Sequence, residues 1–343
     1  MEPVYIGFMK PKVLITGAAG FIGSRLATHL QDLDYEVVGC DKYNFRHQFN
    51  DVGDPHLLSL QRLRHDRLSH FLKPQEIEYH VCDLAVHEDV IKLFELTQPN
   101  IVVHLAAQAG VRHSVQAPMD FVSSNLQGFA HVLDACKTFN VGEFLYASSS
   151  SVYGARTEAP FNESDRCDKP ESFYAATKMA NEAMAYAYHA QYKTPSLGLR
   201  FFTVYGPWGR LDMAPILFAQ KIRKQEPIQL FSNGLLKRDF TFVDDTVFAI
   251  GRLIQLGIAK NKADVVNVGH SNPVQVTEFV DVLSECLGIQ PIIELAPMQV
   301  SDVPLTCAND QKLRGWIGDW PHTSLKTGLG QMTEWLKMWS PST

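Results

Sequence analysis

The sequence predicts a doubly wound α/β protein, in which helices cover both faces of a parallel sheet. Short apolar runs without polar alternation recur along the first 200 residues, and longer amphipathic stretches separate them. Strands of that kind are buried on both faces, as in a parallel sheet joined by helices. A chain of 343 residues, 45% of them hydrophobic, can build this sheet and a smaller second lobe.

The elements follow from these apolar runs and the turn residues that bound them. A first helix is expected over 20–33, between the first two strands. The expected strands are 13–16, 36–40, 78–81, 101–105, 143–147 and 196–202. Residues 44–75 interrupt this alternation of strands and helices and are interpreted as an insertion. Its densest basic run, 61–67, is predicted to be a solvated helix face.

Charge and cysteine content exclude several classes of function. The 31 basic and 37 acidic side chains give a net charge of −6, so a general attraction to nucleic acid or an anionic membrane is not expected. The six cysteines lie far apart without a Cys-x-x-Cys pair, which predicts neither a disulfide framework nor a metal site. No signal peptide or membrane span is visible, so a cytoplasmic location is expected.

Three glycines follow the first strand at intervals of three residues: Gly17, Gly20 and Gly23. Glycine there permits a tight turn and a close backbone approach to a pyrophosphate, and the helix N-terminus offers free N–H groups to the phosphates. Asp41 ends the second strand 18 residues after Gly23, where a carboxylate can accept hydrogen bonds from an adenosine ribose and repel a 2′-phosphate. This glycine turn therefore predicts a dinucleotide site that favours NAD over NADP.

A tyrosine–lysine pair is the strongest catalytic signal. Of the 11 tyrosines, only Tyr174 has a lysine four residues later, Lys178. The intervening residues favour helix, which places both side chains on one face, one turn apart. An ammonium beside a phenol lowers the tyrosine pKa, as a base acting near neutral pH requires.

Four serines at 148–151, the serine run, directly follow a predicted buried strand. The carboxyl ends of strands in an open parallel sheet are where ligands bind. Hydroxyl groups at this position suit hydrogen bonds to a substrate.

The glycine turn, the serine run and the pair of Tyr174 and Lys178 together resemble the extended short-chain dehydrogenase/reductase family, in its nucleotide-sugar epimerase branch. The resemblance runs nearly the whole length of the chain and implies a Rossmann-type domain carrying NAD and a smaller α/β C-terminal domain holding the nucleotide sugar. On this division the NAD domain covers 1–195 and part of about 242–270, and the sugar domain covers 196–241 and 271–343. The family also implies a homodimer formed through a helix bundle, to which the helix 173–191 would contribute.

The resemblance implies a role for each matching residue. The catalytic residues would be Tyr174 as acid/base, Lys178 as its partner and Ser149 at the reacting hydroxyl. The cofactor-binding residues would be Gly17, Gly20, Phe21, Ile22, Gly23, Asp41, Asp83, Leu84, Ala106, Ala107, Gln108, Asn125, Tyr174 and Lys178. His104 precedes two alanines on a buried strand, so we interpret it as a structural histidine.

Three segments, 106–112, 200–210 and 298–304, make the chain most similar to UDP-glucuronate 4-epimerases. The serine run and Thr203 would then hold the sugar carboxylate, two arginines the diphosphate, and an aspartate the uridine ribose. The substrate-binding residues so implied are Arg112, Ser149, Ser150, Ser151, Thr203, Arg210, Arg238 and Asp302.

The activity implied is NAD-dependent C4 epimerisation of a UDP-sugar, UDP-glucuronate to UDP-galacturonate, through a transient 4-keto intermediate. Ser150 and Ser151 stand where related dehydratases carry Asp-Glu and decarboxylases commonly carry glutamate, so no carboxylate is placed for elimination. Three alternatives remain: C4 epimerisation of another UDP-sugar, such as a UDP-N-acetylhexosamine or its uronic acid; decarboxylation of UDP-glucuronate; and non-catalytic NAD binding on the same fold.

Overall fold

The computed structural model describes residues 10–43, 55–72, 77–298 and 302–339. The strands in these ranges are β1 (Lys12–Thr16), β2 (Glu36–Asp41), β3 (Glu78–Val81), β4 (Ile101–His104), β5 (Glu143–Ser149), β6 (Ser196–Phe201), β7 (Thr203–Tyr205), β8 (Ile228–Phe231), β9 (Lys237–Phe242), β10 (Ala263–Val268), β11 (Pro273–Gln275) and β12 (Ile293–Ala296).

The helices alternate with the strands of the first 200 residues. In the described ranges they are α1 (Phe21–Asp32), α2 (Pro55–Arg67), α3 (His87–Thr97), α4 (Val111–Gln116), α5 (Pro118–Phe121), α6 (Gly128–Thr138), α7 (Phe173–Tyr192), α8 (Ala214–Arg223), α9 (Val243–Gln255), α10 (Val276–Leu287), α11 (Gln311–Ile317) and α12 (Leu325–Met338). Short π turns extend α2 through Leu68–Leu72 and α5 through Val122–Gln127.

Seven of the described strands form one parallel sheet in the order β10–β6–β5–β4–β1–β2–β3. The predicted doubly wound α/β fold is confirmed, and each of the six expected strands lies in this sheet within two residues of its expected ends. The sheet extends past residue 195, because β6 pairs with both β5 and β10. The division into two domains therefore stays a prediction, and β6 itself belongs to the large sheet.

Alternate side chains of β1 enter two different cores. Val13 and Ile15 pack on one face with Leu26 of α1, and Leu14 packs on the other with Phe129 of α6. Burial on both faces explains why the strand is apolar throughout rather than alternating. The sheet is thus covered by helices on both sides.

A further core lies among the elements after β6. It includes Phe242 of β9, Phe279 of α10 and Trp335 of α12. Around it β7, β9 and β11 form a three-stranded sheet, and β8 pairs with β12. This is the smaller α/β lobe that the sequence suggests.

The helix in the insertion is only in part the solvated face that its charges predict. Arg64 is exposed, but Leu63 is 1% and Arg67 4% exposed. Leu63 belongs to the core around β9, and Leu68, in the following π turn, belongs to the core against α1. The expectation for 61–67 therefore holds for the side that carries Arg64 and is wrong for Arg67, which is buried on the side of the helix that packs on the protein.

None of the helices in the described ranges combines the length and the apolar composition that a membrane crossing requires.

Candidate active site

The glycine turn between β1 and α1 leaves no room for side chains. Gly17 has a φ of +74°, and a Cβ added there would lie 2.7 Å from the backbone nitrogen of Ala106. A Cβ on Gly23 would lie 2.3 Å from the carbonyl oxygen of Gly17. Backbone therefore packs directly on backbone, which keeps the turn narrow enough for a phosphate to reach its N–H groups.

The first turn of α1 carries no side-chain cap. Gly20 is the N-cap residue, and Phe21 and Ile22 open the helix as partly exposed residues. The uncapped N–H groups and the helix dipole make this end suited to an anion. The backbone nitrogens of Gly17 and Ala18 donate to the carbonyl oxygen of Cys40 at 2.8 and 3.1 Å, which holds the turn beside the end of β2.

Asp41 lies at that end of β2, partly exposed, where its Oδ1 accepts a hydrogen bond from the Tyr43 backbone at 3.2 Å. A phosphate cradle next to a partly exposed carboxylate is the arrangement that the adenosine diphosphate part of NAD requires. The residues present therefore fit this cofactor. Asp83 and Leu84, after β3, line the same side of the sheet: Asp83 is exposed, and Leu84 contacts Gly128.

The segment after β4 is tied to the catalytic helix by Asn125. Its Oδ1 accepts from the backbone nitrogen of Gln108 at 2.8 Å, and its Nδ2 donates to the Gln108 carbonyl at 2.9 Å and to Thr177 Oγ1 at 3.1 Å. Asn125 is buried, whereas Ala106 and Ala107 are partly exposed. Its amide is thus used to position the segment, in which both backbone polar groups of Gln108 bond to Asn125 and the Ala106 N–H donates to Thr16 Oγ1.

His104 lies on β4 below this segment. Its Nδ1 is 2.8 Å from Thr16 Oγ1, and the ring is buried. Burial, together with the nearby charge of Lys178, lowers the pKa of His104 to about 3. The residue is therefore neutral at physiological pH and engaged with β1, which agrees with a structural role.

Tyr174 and Lys178 lie one turn apart on α7, as the sequence predicts. Ser172 caps this helix, its hydroxyl accepting from the Ala175 backbone at 3.1 Å. Tyr174 is partly exposed and Lys178 is buried. The Lys178 Nζ donates to the carbonyl oxygen of Ala147 at 2.8 Å and lies 5.9 Å from the centroid of the Tyr174 ring. The pair is therefore anchored against the end of β5.

The pKa of Tyr174 differs from the sequence-based expectation. Burial raises it, and the effects that oppose burial are a hydrogen bond with Ser149 and the charge of Arg210. Burial also lowers the pKa of Lys178, to about 8. The expectation that Lys178 lowers the pKa of Tyr174 is thus wrong for this structure, since the ammonium is turned toward a carbonyl group.

The serine run continues β5 into a short 3₁₀ turn, Ser150–Tyr153. Ser149 ends the strand, is buried, and accepts a hydrogen bond from the Ser151 backbone at 3.1 Å. Ser150, Ser151 and Thr203, the first residue of β7, are partly exposed. The strand end therefore brings Ser149 to Tyr174 and leaves the other hydroxyls accessible.

A buried polar network lies beneath the serine run, and the sequence interpretation missed it. Ser148 donates to Glu182, and Arg200 makes two hydrogen bonds to the same carboxylate, Nε at 2.9 Å and Nη2 at 2.7 Å. Arg200 also donates to the Tyr153 hydroxyl at 3.0 Å, which donates to Asn267 at 2.6 Å. The available signal was the spacing, because Glu182 follows Lys178 by four residues and extends its helix face.

The predicted substrate arginines have partners in this structure. Arg210 pairs with Asp212 through two nitrogens, at 3.0 and 2.6 Å, and donates to the Ala109 carbonyl at 2.8 Å. The positive charge of Arg210 also opposes the rise in the Tyr174 pKa. Arg112 lies in α4, and its side chain falls outside the described part of the structure.

Arg238 on β9 lies within electrostatic range of Asp302, without a direct ion pair between them. Burial lowers the pKa of Arg238, and the charge of Asp302 opposes this. The Asp302 Oδ2 is buried without a hydrogen-bond partner among the described residues. An unpaired carboxylate oxygen beside an arginine can accept a hydrogen bond from a ligand hydroxyl.

The structure thus brings Ser149, Tyr174 and Lys178 together at the end of β5, with the charge of Arg210 close by. Arg238 and Asp302 form a second group on the smaller lobe.

Comparisons with known proteins agree with this architecture. The model of the NAD dependent epimerase/dehydratase family matches residues 13–269. Protein CapI of Staphylococcus aureus is 41% identical over 339 residues, covering 94% of this chain and 98% of that protein. A probable UDP-glucuronate 4-epimerase of Rhizobium meliloti (strain 1021) is 37% identical over 340 residues, covering 94% and 96%.

Among solved structures, the UDP-glucuronic acid 4-epimerase from Bacillus cereus, in complex with UDP-glucuronic acid and NAD, is similar with a TM-score of 0.82. It is 28% identical, and the match covers 95% of this chain and 99% of that chain. The extent of these matches shows that the chain belongs to the NAD dependent epimerase/dehydratase family.

Proposed function

We propose that the protein is an NAD-dependent UDP-sugar 4-epimerase that interconverts UDP-glucuronate and UDP-galacturonate. The observation that carries the proposal is that Ser149, at the carboxyl end of β5, lies close enough to the Tyr174 phenol to lower its pKa, with Lys178 one turn along the same helix as Tyr174. At this edge of the sheet, the phenol of Tyr174 and the hydroxyl of Ser149 can both hydrogen-bond to the same oxygen of a bound sugar. The named epimerases similar to this chain support the substrate.

In this proposal Tyr174 moves the proton of the sugar C4 hydroxyl. It accepts the proton as C4 is oxidised to a ketone and returns it when the ketone is reduced from the other face, while Ser149 holds the C4 oxygen. NAD, when bound, supplies the hydride acceptor and returns the hydride. Because burial raises the pKa of Tyr174, the opposing effects of Ser149 and Arg210 assist the loss of its proton.

The Lys178 ammonium has a positioning part in this scheme. One of its three donors is committed to the Ala147 carbonyl, which fixes it behind Tyr174, and the remaining donors can reach a ribose hydroxyl. The glycine turn and the N-terminus of α1 hold the pyrophosphate, and Asp41 accepts from the adenosine ribose.

The hydroxyls of Ser150, Ser151 and Thr203 are assigned to the sugar carboxylate. A 4-keto uronic acid is a β-keto acid and loses CO₂ readily. Neutral donors can hold the carboxylate in one orientation without supplying an acid or base for elimination or decarboxylation. This arrangement supports epimerisation over both of those reactions.

The assignments of Arg210 and Arg238 to the diphosphate and of Asp302 to the uridine ribose belong to the same proposal. Asp302, whose Oδ2 has no hydrogen-bond partner among the described residues, already acts on Arg238 through its charge. Arg210 would exchange its contact with Asp212 for the stronger anion, since bidentate binding of phosphate is characteristic of arginine.

The experiment that tests the proposal is an incubation of the purified protein with UDP-glucuronate, followed by NMR of the products. We expect UDP-galacturonate without release of CO₂. A UDP-pentose and CO₂ would instead identify a decarboxylase, and turnover of only another UDP-sugar in a parallel panel would reassign the substrate. The absence of any turnover would contradict the epimerase function.

We also propose a cytoplasmic homodimer. Exposed apolar side chains lie on α7 and on the two short helices packed against it: Tyr186 is 68%, Val115 67% and Met119 70% exposed. A second copy could cover this face, as in a helix bundle. Light scattering coupled to size-exclusion chromatography tests it: a mass of two chains is expected, and a monomer at micromolar concentration would contradict it.

A further inference from the structure

Arg67 is a buried cation in the insertion that the activity described above does not use. It is the last residue of α2 and only 4% of it is exposed. A charged side chain removed from water costs free energy unless its donors are satisfied. The burial of the Arg67 charge therefore needs a physical explanation, which its hydrogen-bond partners supply.

Every hydrogen bond of Arg67 within the described residues ends on a carbonyl oxygen. Nε and Nη2 donate to Trp208 at 2.9 and 2.6 Å, Nη2 donates to Gly209 at 3.1 Å, and Nη1 reaches Ala19 at 3.4 Å. Only a planar guanidinium can present separated nitrogens to two segments in this way.

The two segments that Arg67 joins have different proposed roles, one in binding the cofactor and the other in binding the substrate. Ala19 lies within the glycine turn, between Gly17 and Gly20. Trp208 and Gly209 directly precede Arg210, whose side chain reaches the Ala109 carbonyl. The guanidinium thus connects the cofactor-binding turn with the backbone that carries a substrate arginine.

Trp208 has a backbone conformation that needs such support. Its φ is +63°, in the left-handed region that bulky residues rarely occupy, and such strain persists only where the surroundings impose it. The ring of Trp208 stacks on His70 with centroids 5.0 Å apart and meets the edge of Phe71 at 5.7 Å. The insertion therefore holds Trp208 through its backbone and through its ring.

The electrostatic surroundings of Arg67 agree with a position between two sites. Burial lowers its pKa to about 9, and the charges of Arg64 and Arg210 act in the same direction. The charges of Asp41 and Asp212 oppose this. The pKa of Arg67 is thus affected by charged groups on both the cofactor side and the substrate side.

We propose that Arg67 is a positioning residue that fixes the segment 208–210 against the glycine turn and thereby places Arg210 for binding the diphosphate of the nucleotide sugar. The inference rests on the proposed function, since it assigns Arg67 to the binding of that substrate class. The insertion, through Arg67, makes the geometry of the substrate side depend on the cofactor side.

The test compares Arg67→Met with Arg64→Met, which removes an exposed guanidinium from the same helix. Each variant is checked for its thermal unfolding, its NAD content, its Kd for UDP by calorimetry, and its KM and kcat. For Arg67→Met we expect Kd and KM to rise about tenfold, because three carbonyl groups lose their donor and the segment 208–210 is released. NAD content and the kcat are expected to change less than about threefold, and Arg64→Met to match the wild type.

A conservative variant covers the case in which Arg67→Met does not fold. Lysine keeps the charge but its single nitrogen can reach one of the two segments, so Arg67→Lys is expected to raise the Kd for UDP about threefold while retaining NAD. A structural role alone would lower the unfolding temperature and leave the Kd unchanged.

The outcomes separate the two proposals. A wild-type protein that binds UDP but does not convert UDP-glucuronate contradicts the proposed substrate alone. An unchanged Kd in folded Arg67→Met, or in Arg67→Lys where the first variant does not fold, overturns the role of Arg67 alone. A wild-type protein that binds no UDP overturns both.

Discussion

The glycine turn and the arginine side of the site are suited to anions by different means. On the glycine turn the donors are backbone N–H groups at the start of α1, and the space is set by contacts of backbone on backbone. On the other side the proposed donors are two side chains, Arg210 and Arg238, which lie on separate segments of the chain. The glycine turn has no room for an added side-chain atom, whereas anion binding on the arginine side is expected to weaken with each donor that is removed. The predictions below use that difference.

Gly23→Ala is expected to have the largest effect. The new Cβ would lie 2.3 Å from the Gly17 carbonyl oxygen, so the turn has to open and the phosphate cradle is lost. We expect the purified variant to carry less than about a tenth of the wild-type NAD, measured after acid release, and to lack activity. Gly315→Ala is the control, because a Cβ there meets no atom within 4 Å. Full NAD content in Gly23→Ala would contradict the steric account.

Tyr174→Phe removes the hydroxyl that we propose carries the proton. We expect the kcat to fall about a thousandfold, within the range for loss of a general acid/base, while NAD and UDP remain bound. Tyr186→Phe, the same change at an exposed position of α7, is the control. If the Tyr174 variant kept wild-type turnover, another group would have to move the proton.

Arg238→Met tests the arginine side. Arg238 is partly buried and within electrostatic range of Asp302, and removal of its guanidinium is expected to raise the KM about tenfold, with NAD content unchanged. Arg252→Met, at an arginine whose guanidinium bonds the exposed amide of Gln255 on α9, is the control. A loss of NAD from Arg238→Met would show that the two sides are not separable as described.

His104→Gln should give the smallest effect, on stability rather than on activity. The pKa of His104 is about 3 in the folded protein, below the usual 6.5, so between these values the unfolded chain binds more protons. The free energy of unfolding therefore falls as the pH is lowered from 6.5, by up to about 1.4 kcal/mol per pH unit from this residue.

Urea unfolding of the wild type and His104→Gln at pH 7, 6 and 5 measures this contribution, and His113→Gln, an exposed histidine, is the control. We expect a shallower pH dependence in His104→Gln alone. Equal slopes in all three proteins would mean that His104 is not held neutral by burial.

The contrast between the two sides also explains what the sequence could predict. The strands, the glycine turn, Asp41 and the pair of Tyr174 and Lys178 depend on short-range spacing, and the structure places them as expected. The predicted direction of the Tyr174 pKa shift was wrong, because the shift depends on where the Lys178 ammonium lies once β5 and α7 have packed together.

Long-range contacts account for the rest. Glu182 and Arg200 pair beneath the serine run although 18 positions separate them. Arg67 was assigned to solvent because its neighbours in sequence are charged, yet its partners come from residues 141 and 142 positions away. Such pairs are fixed only when separate elements pack together in the folded chain, so the spacing of residues along the sequence does not identify both partners.

The most direct test of the central claim uses UDP-glucuronate labelled with deuterium at C4, without added NAD. If the hydride leaves C4 and returns to it within the site, the product is UDP-galacturonate that retains the deuterium at C4, as NMR and mass spectrometry can measure. Loss of the deuterium to water, or a product that keeps the C4 configuration of UDP-glucuronate, would contradict C4 epimerisation by this protein.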